Sequence, residues 1–451
     1  MRQSAPGAGG VRTATKLPRL ALLVYGAPAL PLAALTLPLY VILPSFYAGV
    51  IGLPLAQVGT ILLAVRLADA LSDPLAGILC DRIPLPPGRR RGWFLLGAVP
   101  AALAAWMILT PPTDAGPLYL LGWGLALSLG YTATIIPYSA WGAELADDYH
   151  ERSRVAGVRE GMVLLGTLVA VSVPAVADAL GAVDQRGALA FLAAGIGISL
   201  PLLALLAALR LPEPPPGVEA MPGLREGLGP LLRNRPFLRL LAAFIVNGFA
   251  NGLPATLFLF FVARVLERPD LQGPLLFLYF LCGIAGVPLW LAVARKTGKH
   301  RAWSIAMLGA CTVFVLVPLI GRGDLAAFAA ICVLTGLALG ADLTLPAAIQ
   351  ADVIDVDRLE TGTRRSGLYF ALWGLATKLA LALAVGLAFP LLDLAGFEAE
   401  GTGEDGLGVL VALYSLLPVA LKLVAIALMW RFPLDKAAHD RLVADIADRQ
   451  A

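Results

Sequence analysis

Residues 66–74 read Arg66-Leu-Ala-Asp69-Ala-Leu-Ser72-Asp73-Pro74, three formal charges inside an apolar run that extends over 54–80. A run of this length crosses a bilayer, which takes roughly 20 residues of helix. Each charge held at mid-bilayer costs roughly 2.5–3.5 kcal/mol on insertion scales. The spacings of three and four place Arg66, Asp69 and Asp73 on one helical face. Such a face is tolerable only toward a polar interior built by other spans. Two readings follow. The carboxylates hold a cation or share a proton, or Arg66 pairs with Asp69 and pins helices together.

The rest of the chain supplies the other spans. Hydrophobic residues make up 59% of it and charged residues 14%, with a mean hydropathy of +0.80. That is too few polar groups to cover a water-facing surface. Further apolar runs lie at 20–47, 93–110, 117–143, 156–178, 188–209, 237–265, 271–294, 302–320, 325–350, 367–392 and 406–430. The expected fold is therefore an all-α polytopic membrane protein of twelve spans. A Pro-rich hydrophilic stretch, 210–236, reads as a linker between six-span bundles at 19–209 and 237–432. The ends, 1–18 and 433–451, read as tails, the first disordered and the second with the alternation of an interfacial helix.

With an even number of spans both ends share a side. On that side stand 27 of the 34 Lys and Arg residues, against 4 on the other (Arg186, Arg264, Arg268 and Arg322). This asymmetry predicts cytoplasmic N- and C-termini. A faint repeat runs through the same loops: Asp81-Arg82 with Gly88-Arg89-Arg90-Arg91 after span two, and Arg295 to Arg301 after span eight. Glu144 with Asp147 and Arg159 follows span four, and Asp352 with Asp355 and Arg364 follows span ten. A shift of six spans relates them, which is the parallel repeat of a six-plus-six transporter. Asp81, Arg89, Arg90, Arg91, Glu144, Asp352 and Arg364 are candidates for gating ion pairs, or for topological signal alone.

Several polar residues inside other spans are candidates as well. Lys378 in span eleven needs a counter-ion, and an acid of span two would tie the two halves together. Asp342 in span ten binds a solute hydroxyl or a cation, or caps a helix broken before Pro346. Lys422 in span twelve is expected at the periphery, snorkelling or paired. Asn247 and Asn251 share one face of span seven and can bond a polar solute or another helix. Tyr25, Tyr131, Tyr138 and Trp373 can stack on a ligand or pack. The four cysteines show no paired spacing, and the three histidines sit in polar segments, so neither a disulfide framework nor a zinc site is expected. No P-loop, HExxH or GxSxG motif stands in a suitable context, which excludes an ATP-driven pump and the common hydrolases.

The run Asp69-Ala-Leu-Ser72-Asp73-Pro74, the loop Asp81-Arg82 to Gly88-Arg89-Arg90-Arg91, Ile136-Pro137-Tyr138, Ala351-Asp352-Val-Ile-Asp355 and Lys378 together resemble the glycoside–pentoside–hexuronide:cation symporters, a melibiose permease-like group of the major facilitator superfamily. The resemblance covers nearly the whole chain. It implies two pseudo-symmetric six-helix bundles and alternating access around a central site. It makes Asp69, Asp73, Ser72 and Thr132 the cation-binding set and Lys378 the coupling lysine; Arg66, on the same face of span two as the two acids, is a further coupling candidate from its spacing. Arg159 matches an arginine near the sugar. The acids that bind galactoside hydroxyls in the melibiose permease have no counterpart: the matching part of span one, 25–31, carries none, and Ile135 and Ser139 stand at the span-four positions.

The sequence thus predicts a secondary active transporter and no enzyme: a cation-coupled symporter, using Na⁺ or H⁺, of a small solute of sugar or glycoside class. A lysolipid or amphiphile carrier of the same fold and a non-transporting receptor are the alternatives. No cofactor is expected, and no metal beyond a possible Na⁺. The expected partners are the solute and the lipid bilayer, with no nucleic acid. The protein is expected to act as a monomer in a bacterial inner membrane.

Overall fold

The computed structural model describes residues 17–145, 149–179, 185–213, 231, 233–361, 366–399 and 403–433. Most of both tails, the linker from 214 to 230, Arg364 and the side chain of Asp81 lie outside the described residues. The first span is composite. Helices Arg19–Gly26 and Ala29–Leu37 continue through the π turns Pro38–Ile42 and Phe46–Val50. Pro28, Pro31, Pro38 and Pro44 lack the N–H that a regular helix would use, so the backbone widens or breaks around them.

Spans two to six are single helices: Leu55–Arg82, Arg89–Leu109, Pro117–Glu144, Tyr149–Ala179 and Gln185–Arg210. Spans seven to eleven are Arg235–Arg264, Gln272–Thr297, Lys299–Phe314, Leu325–Thr361 and Ser366–Leu394. The twelfth runs from Leu407 to Met429. Among the described residues, 11 helices are long and apolar enough to cross a membrane. The fifth span has its charges gathered in its first turns and runs from Gly161 to Ala177 without one.

The neighbour pattern repeats under a shift of six. Span two packs on four as eight packs on ten; one on five as seven on eleven; three on six as nine on twelve; three on four as nine on ten. Between the halves, span two lies along eleven and span five along eight, again a symmetric pair. The two bundles are therefore two copies of one arrangement, joined along these two seams and where the end of span one, Pro38–Ser45, meets span seven.

The halves meet on the face opposite the Arg-rich loops. There a single buried apolar core runs through both, from Phe46 and Tyr47 of span one to Phe258 and Phe261 of span seven, Phe389 of span eleven and Tyr414 of span twelve. Two glycines bring spans two and eleven close: a Cβ on Gly59 would stand 2.8 Å from the Cβ of Phe389, and one on Gly386 would stand 2.8 Å from Cδ2 of Leu63. Toward the basic face a second apolar core, with Phe237, Trp303, Ile349, Tyr369 and Met429, belongs to the C-terminal half alone. Among the described residues no ion pair or buried apolar cluster joins the halves at the basic face.

The charged loops at that face bond within each half. Arg89 and Arg90 pair with Glu144 at 2.9 and 2.5 Å, joining spans three and four. Lys299 pairs with Asp352 at 2.6 Å, joining nine and ten. These are equivalent positions in the repeat. Glu213, just past span six, accepts the backbone N–H groups of Arg90 and Arg91 at 2.7 and 3.3 Å and pairs with the Arg91 guanidinium at 3.6 Å. Trp141 donates to the carbonyl of Pro212 at 2.9 Å. The start of the linker is thus clamped to span three, an anchor that the sequence reading missed. Glu213→Ala is expected to cost about 1–3 kcal/mol by orphaning helix-start donors, read as a lowered Tm of the purified protein with transport retained. An unchanged Tm would remove the clamp from the fold's supports.

Candidate functional site

The charges of span two meet Lys378 of span eleven midway through the molecule. Asp69 is 2% exposed. Its Oδ1 accepts from Ser128 Oγ at 2.8 Å and lies 3.0 Å from Thr132 Oγ1, both on span four. Its Oδ2 pairs with Lys378 Nζ at 2.8 Å and with Arg66 Nη1 at 3.8 Å. Asp73 stands one turn on: Oδ1 is 2.8 Å from Thr132 Oγ1, and Oδ2 accepts from Lys378 Nζ. The i, i+4 spacing on both helices makes this possible, with Asp69 and Asp73 on one and Ser128 and Thr132 on the other.

Thr132 owns a single hydroxyl proton, yet its oxygen is within bonding distance of both carboxylates. It donates to one at a time or shares its proton between the two in a three-centre bond. Lys378 Nζ bridges the other pair of oxygens. The formal charge is zero: two carboxylates, one ammonium, one guanidinium. Removing the ammonium leaves −1, which one monovalent cation restores. Two carboxylates and two hydroxyls are hard oxygen donors, suited to Na⁺ or a proton and unsuited to a soft metal.

A second polar centre lies inside the C-terminal bundle. Asp342 of span ten accepts from Asn247 Nδ2 at 3.0 Å, Asn251 Nδ2 at 2.9 Å and Trp303 Nε1 at 2.6 Å. Lys422 Nζ lies 3.6 Å from Asp342 Oδ2 and donates to Asn247 Oδ1 at 2.8 Å. Lys422 is thus buried and paired, not peripheral, and Asp342 gathers side-chain donors from spans seven and nine where a helix cap was one reading. Asn247 and Asn251 converge on it as their spacing allows.

Other candidates stand apart from both centres. The Ser72 hydroxyl turns back to the Asp69 carbonyl at 3.0 Å and meets neither carboxylate. Tyr25 and Tyr138 exchange hydroxyl-to-carbonyl hydrogen bonds at 3.3 and 2.6 Å and stack at 4.9 Å. Both are fully buried, which spends them on joining spans one and four. Trp373 stacks on Phe244 at 3.7 Å, and Tyr131 packs at the edge of the apolar core. Arg159 binds Glu160 at 2.6 Å and reaches Ser139 Oγ at 3.4 Å. Ser128 and Trp303 were missed. Ser128 could have been found four residues before Thr132 on the same face; Trp303 carries no such signal.

Twelve spans in two repeated bundles, with a charged cluster across the seam between them, define a multi-pass membrane transporter of the major facilitator fold. The family described as MFS/sugar transport protein matches residues 24–436, and the chain belongs to it. An uncharacterized symporter of Synechocystis sp. is 26% identical, with 97% of this chain and 98% of that protein covered. The glucuronide carrier protein homolog of Escherichia coli strain K12 is 25% identical over 90% of each chain. The sodium-dependent lysophosphatidylcholine symporter 1 of Mus musculus is 26% identical, covering 83% of this chain and 78% of that one. Among solved structures, the nucleoside transporter NupG aligns with a TM-score of 0.69 at 13% identity, over 91% of this chain and 100% of that one. A D-xylose–proton symporter aligns at 0.64 and 14%, over 92% and 97%. At these identities the structures speak for the fold.

Proposed function

We propose that this secondary transporter is a symporter that carries a sugar-class solute together with one monovalent cation, Na⁺ or H⁺. The observation that supports it most is Lys378 of one half bridging Asp69 and Asp73 of the other. A cation entering between the carboxylates displaces the ammonium without changing net charge. Displacement breaks the only ion pairs that join the halves among the described residues. Cation binding therefore biases how the halves sit on one another, which is what coupling requires.

The basic face is taken as cytoplasmic by the charge asymmetry, in a bacterial inner membrane. The halves are then sealed toward the outside and the described conformation is inward-facing. In the cycle, cation and solute bind together on the outside, the seam closes behind them, and both leave inward. Lys378 then recaptures the carboxylates and resets the carrier as a monomer. The names of the relatives, a glucuronide carrier homolog among them, agree with this reading. A lysolipid cargo is the second reading, favoured by the lysophosphatidylcholine symporters among the relatives.

Uptake into proteoliposomes decides between them. Labelled sugars, glycosides and lysolipids are offered under an imposed Na⁺ or proton gradient. Accumulation of a sugar or glycoside under one gradient is expected. Accumulation of lysolipid alone would replace the proposed cargo, and accumulation independent of both gradients would end the coupling claim.

A further inference from the structure

The second centre forms one pole of a cavity that the cation chemistry does not use. Asn251, Asp342 and Lys422 line it together with apolar and aromatic side chains of spans seven, eight, nine, ten and twelve, among them Phe258, Tyr279 and Tyr414. Val41 of span one reaches it from the other half. Its volume is about 80 Å³. An apolar cavity of about 150 Å³ takes a benzene ring, so this one is smaller than a six-membered ring needs and suits a group of a few heavy atoms.

The bonding capacity left at the pole is specific. Asp342 is mostly engaged: three neutral donors hydrogen-bond its two oxygens, and the Lys422 ammonium stands 3.6 Å from Oδ2. Lys422 spends one strong hydrogen bond on Asn247 and keeps further N–H capacity. Asn251 donates its amide to Asp342, and its carbonyl oxygen has no partner among the described residues. Lys422 Nζ and Asn251 Oδ1 thus stand available as a donor and an acceptor beside a mostly apolar wall, to which Thr335, Tyr279 and Tyr414 add hydroxyl groups. A hydroxyl both accepts and donates, and a methylene suits the wall. The pole itself is electrically neutral, and Asp342 would repel a carboxylate placed there.

We propose that this cavity is a subsite for the hydroxymethyl group of a hexose or hexoside. Its hydroxyl accepts from Lys422 and donates to Asn251 Oδ1, and its methylene lies against the apolar wall. The inference rests on the sugar-class reading above and narrows it to six-carbon sugars over their five-carbon counterparts. A missing hydroxymethyl group would leave donor and acceptor unpaired and the cavity partly filled, at a cost of roughly tenfold to a hundredfold in affinity.

The test is equilibrium binding to the purified full chain with Na⁺ present, using pairs that differ only by this group: D-glucose and D-xylose, D-galactose and L-arabinose, D-mannose and D-lyxose. At least one hexose is expected to bind tenfold or more tightly than its pentose partner. Ala338→Leu, which fills the cavity from its wall, is expected to erase that preference, and so is Asn251→Leu, which removes the acceptor. The first variant leaves every donor of Asp342 in place and serves if the second fails to fold. Equal affinities within all pairs, as water as the sole occupant would give, overturn the subsite. So do a preference that survives Ala338→Leu, D-glucuronate bound more tightly than D-glucose, and no binding by any of the sugars. Asp69→Asn separates this from coupling: a variant that still prefers the hexose but has lost its response to Na⁺ and pH upholds both, and one that prefers the hexose and keeps that response upholds the subsite while ending the coupling claim.

Discussion

Asp69→Asn is expected to abolish concentrative uptake, lowering gradient-driven accumulation by about a hundredfold or more, while the protein purifies as a folded, monodisperse species. Asp69 offers its two oxygens to Ser128, Thr132 and Lys378 at 2.8–3.0 Å. Truncating one member of a buried, hydrogen-bonded charge pair costs roughly 2–5 kcal/mol, and each 1.4 kcal/mol is tenfold. The amide keeps the shape but removes the charge a cation would meet. Lys378 retains Asp73 as its partner, so the fold is not left with an orphan ammonium. The coupling reading requires loss of accumulation with downhill exchange retained, because exchange needs no bound cation to drive it. Full accumulation by a well-expressed variant would return Asp69 to the structural role of pinning helices.

Gly59→Trp is expected to hold the halves apart on the face opposite the basic loops and to reduce transport by at least about tenfold. The position has no space for even a methyl group: a Cβ there would stand 2.8 Å from the Cβ of Phe389. That atom sits on the backbone of span eleven and cannot rotate away. Interior packing is dense enough that such an overlap moves helices instead of side chains. A second wedge, Gly386→Trp opposite Leu63, is expected to add to the effect because both glycines lie on the same seam. The measurement is maleimide labelling of single cysteines placed along that seam. Labelling from the opposite face should rise in the wedge variants, and unchanged labelling with normal transport would show that the seam does not close during the cycle. Gly59→Ala gives the graded control, with a smaller opening.

Much of this architecture was legible in one chain. A bilayer admits only helices with internally bonded backbones, and each needs its length of apolar residues. The runs 54–80 and 117–143 therefore became Leu55–Arg82 and Pro117–Glu144 within two residues. Where helix and membrane part company, the reading fell short. Spans five and ten begin or end well beyond their apolar runs, at Tyr149 and Thr361, because charged turns remain helical in water while hydropathy marks only the lipid-crossing part. The spacing of Asp69 and Asp73 told of a shared face and a need for partners, and Lys378 was their expected counter-charge.

Partner choice beyond that was decided by tertiary structure. Arg89, Arg90 and Glu144 were legible as a charged loop, but only packing shows that they bond inside one half, with Glu213 arriving from past span six. Lys422, expected at the periphery, and Trp303, which carries no signal in its apolar run, both meet Asp342 only because the bundle brings them there. The reason is physical. Hydropathy and helical periodicity are local properties, set by the bilayer and by the geometry of one helix, and a single chain states them directly. Which side chain meets which across two helices depends on rotation, depth and crossing of both, and those are set by the packed whole.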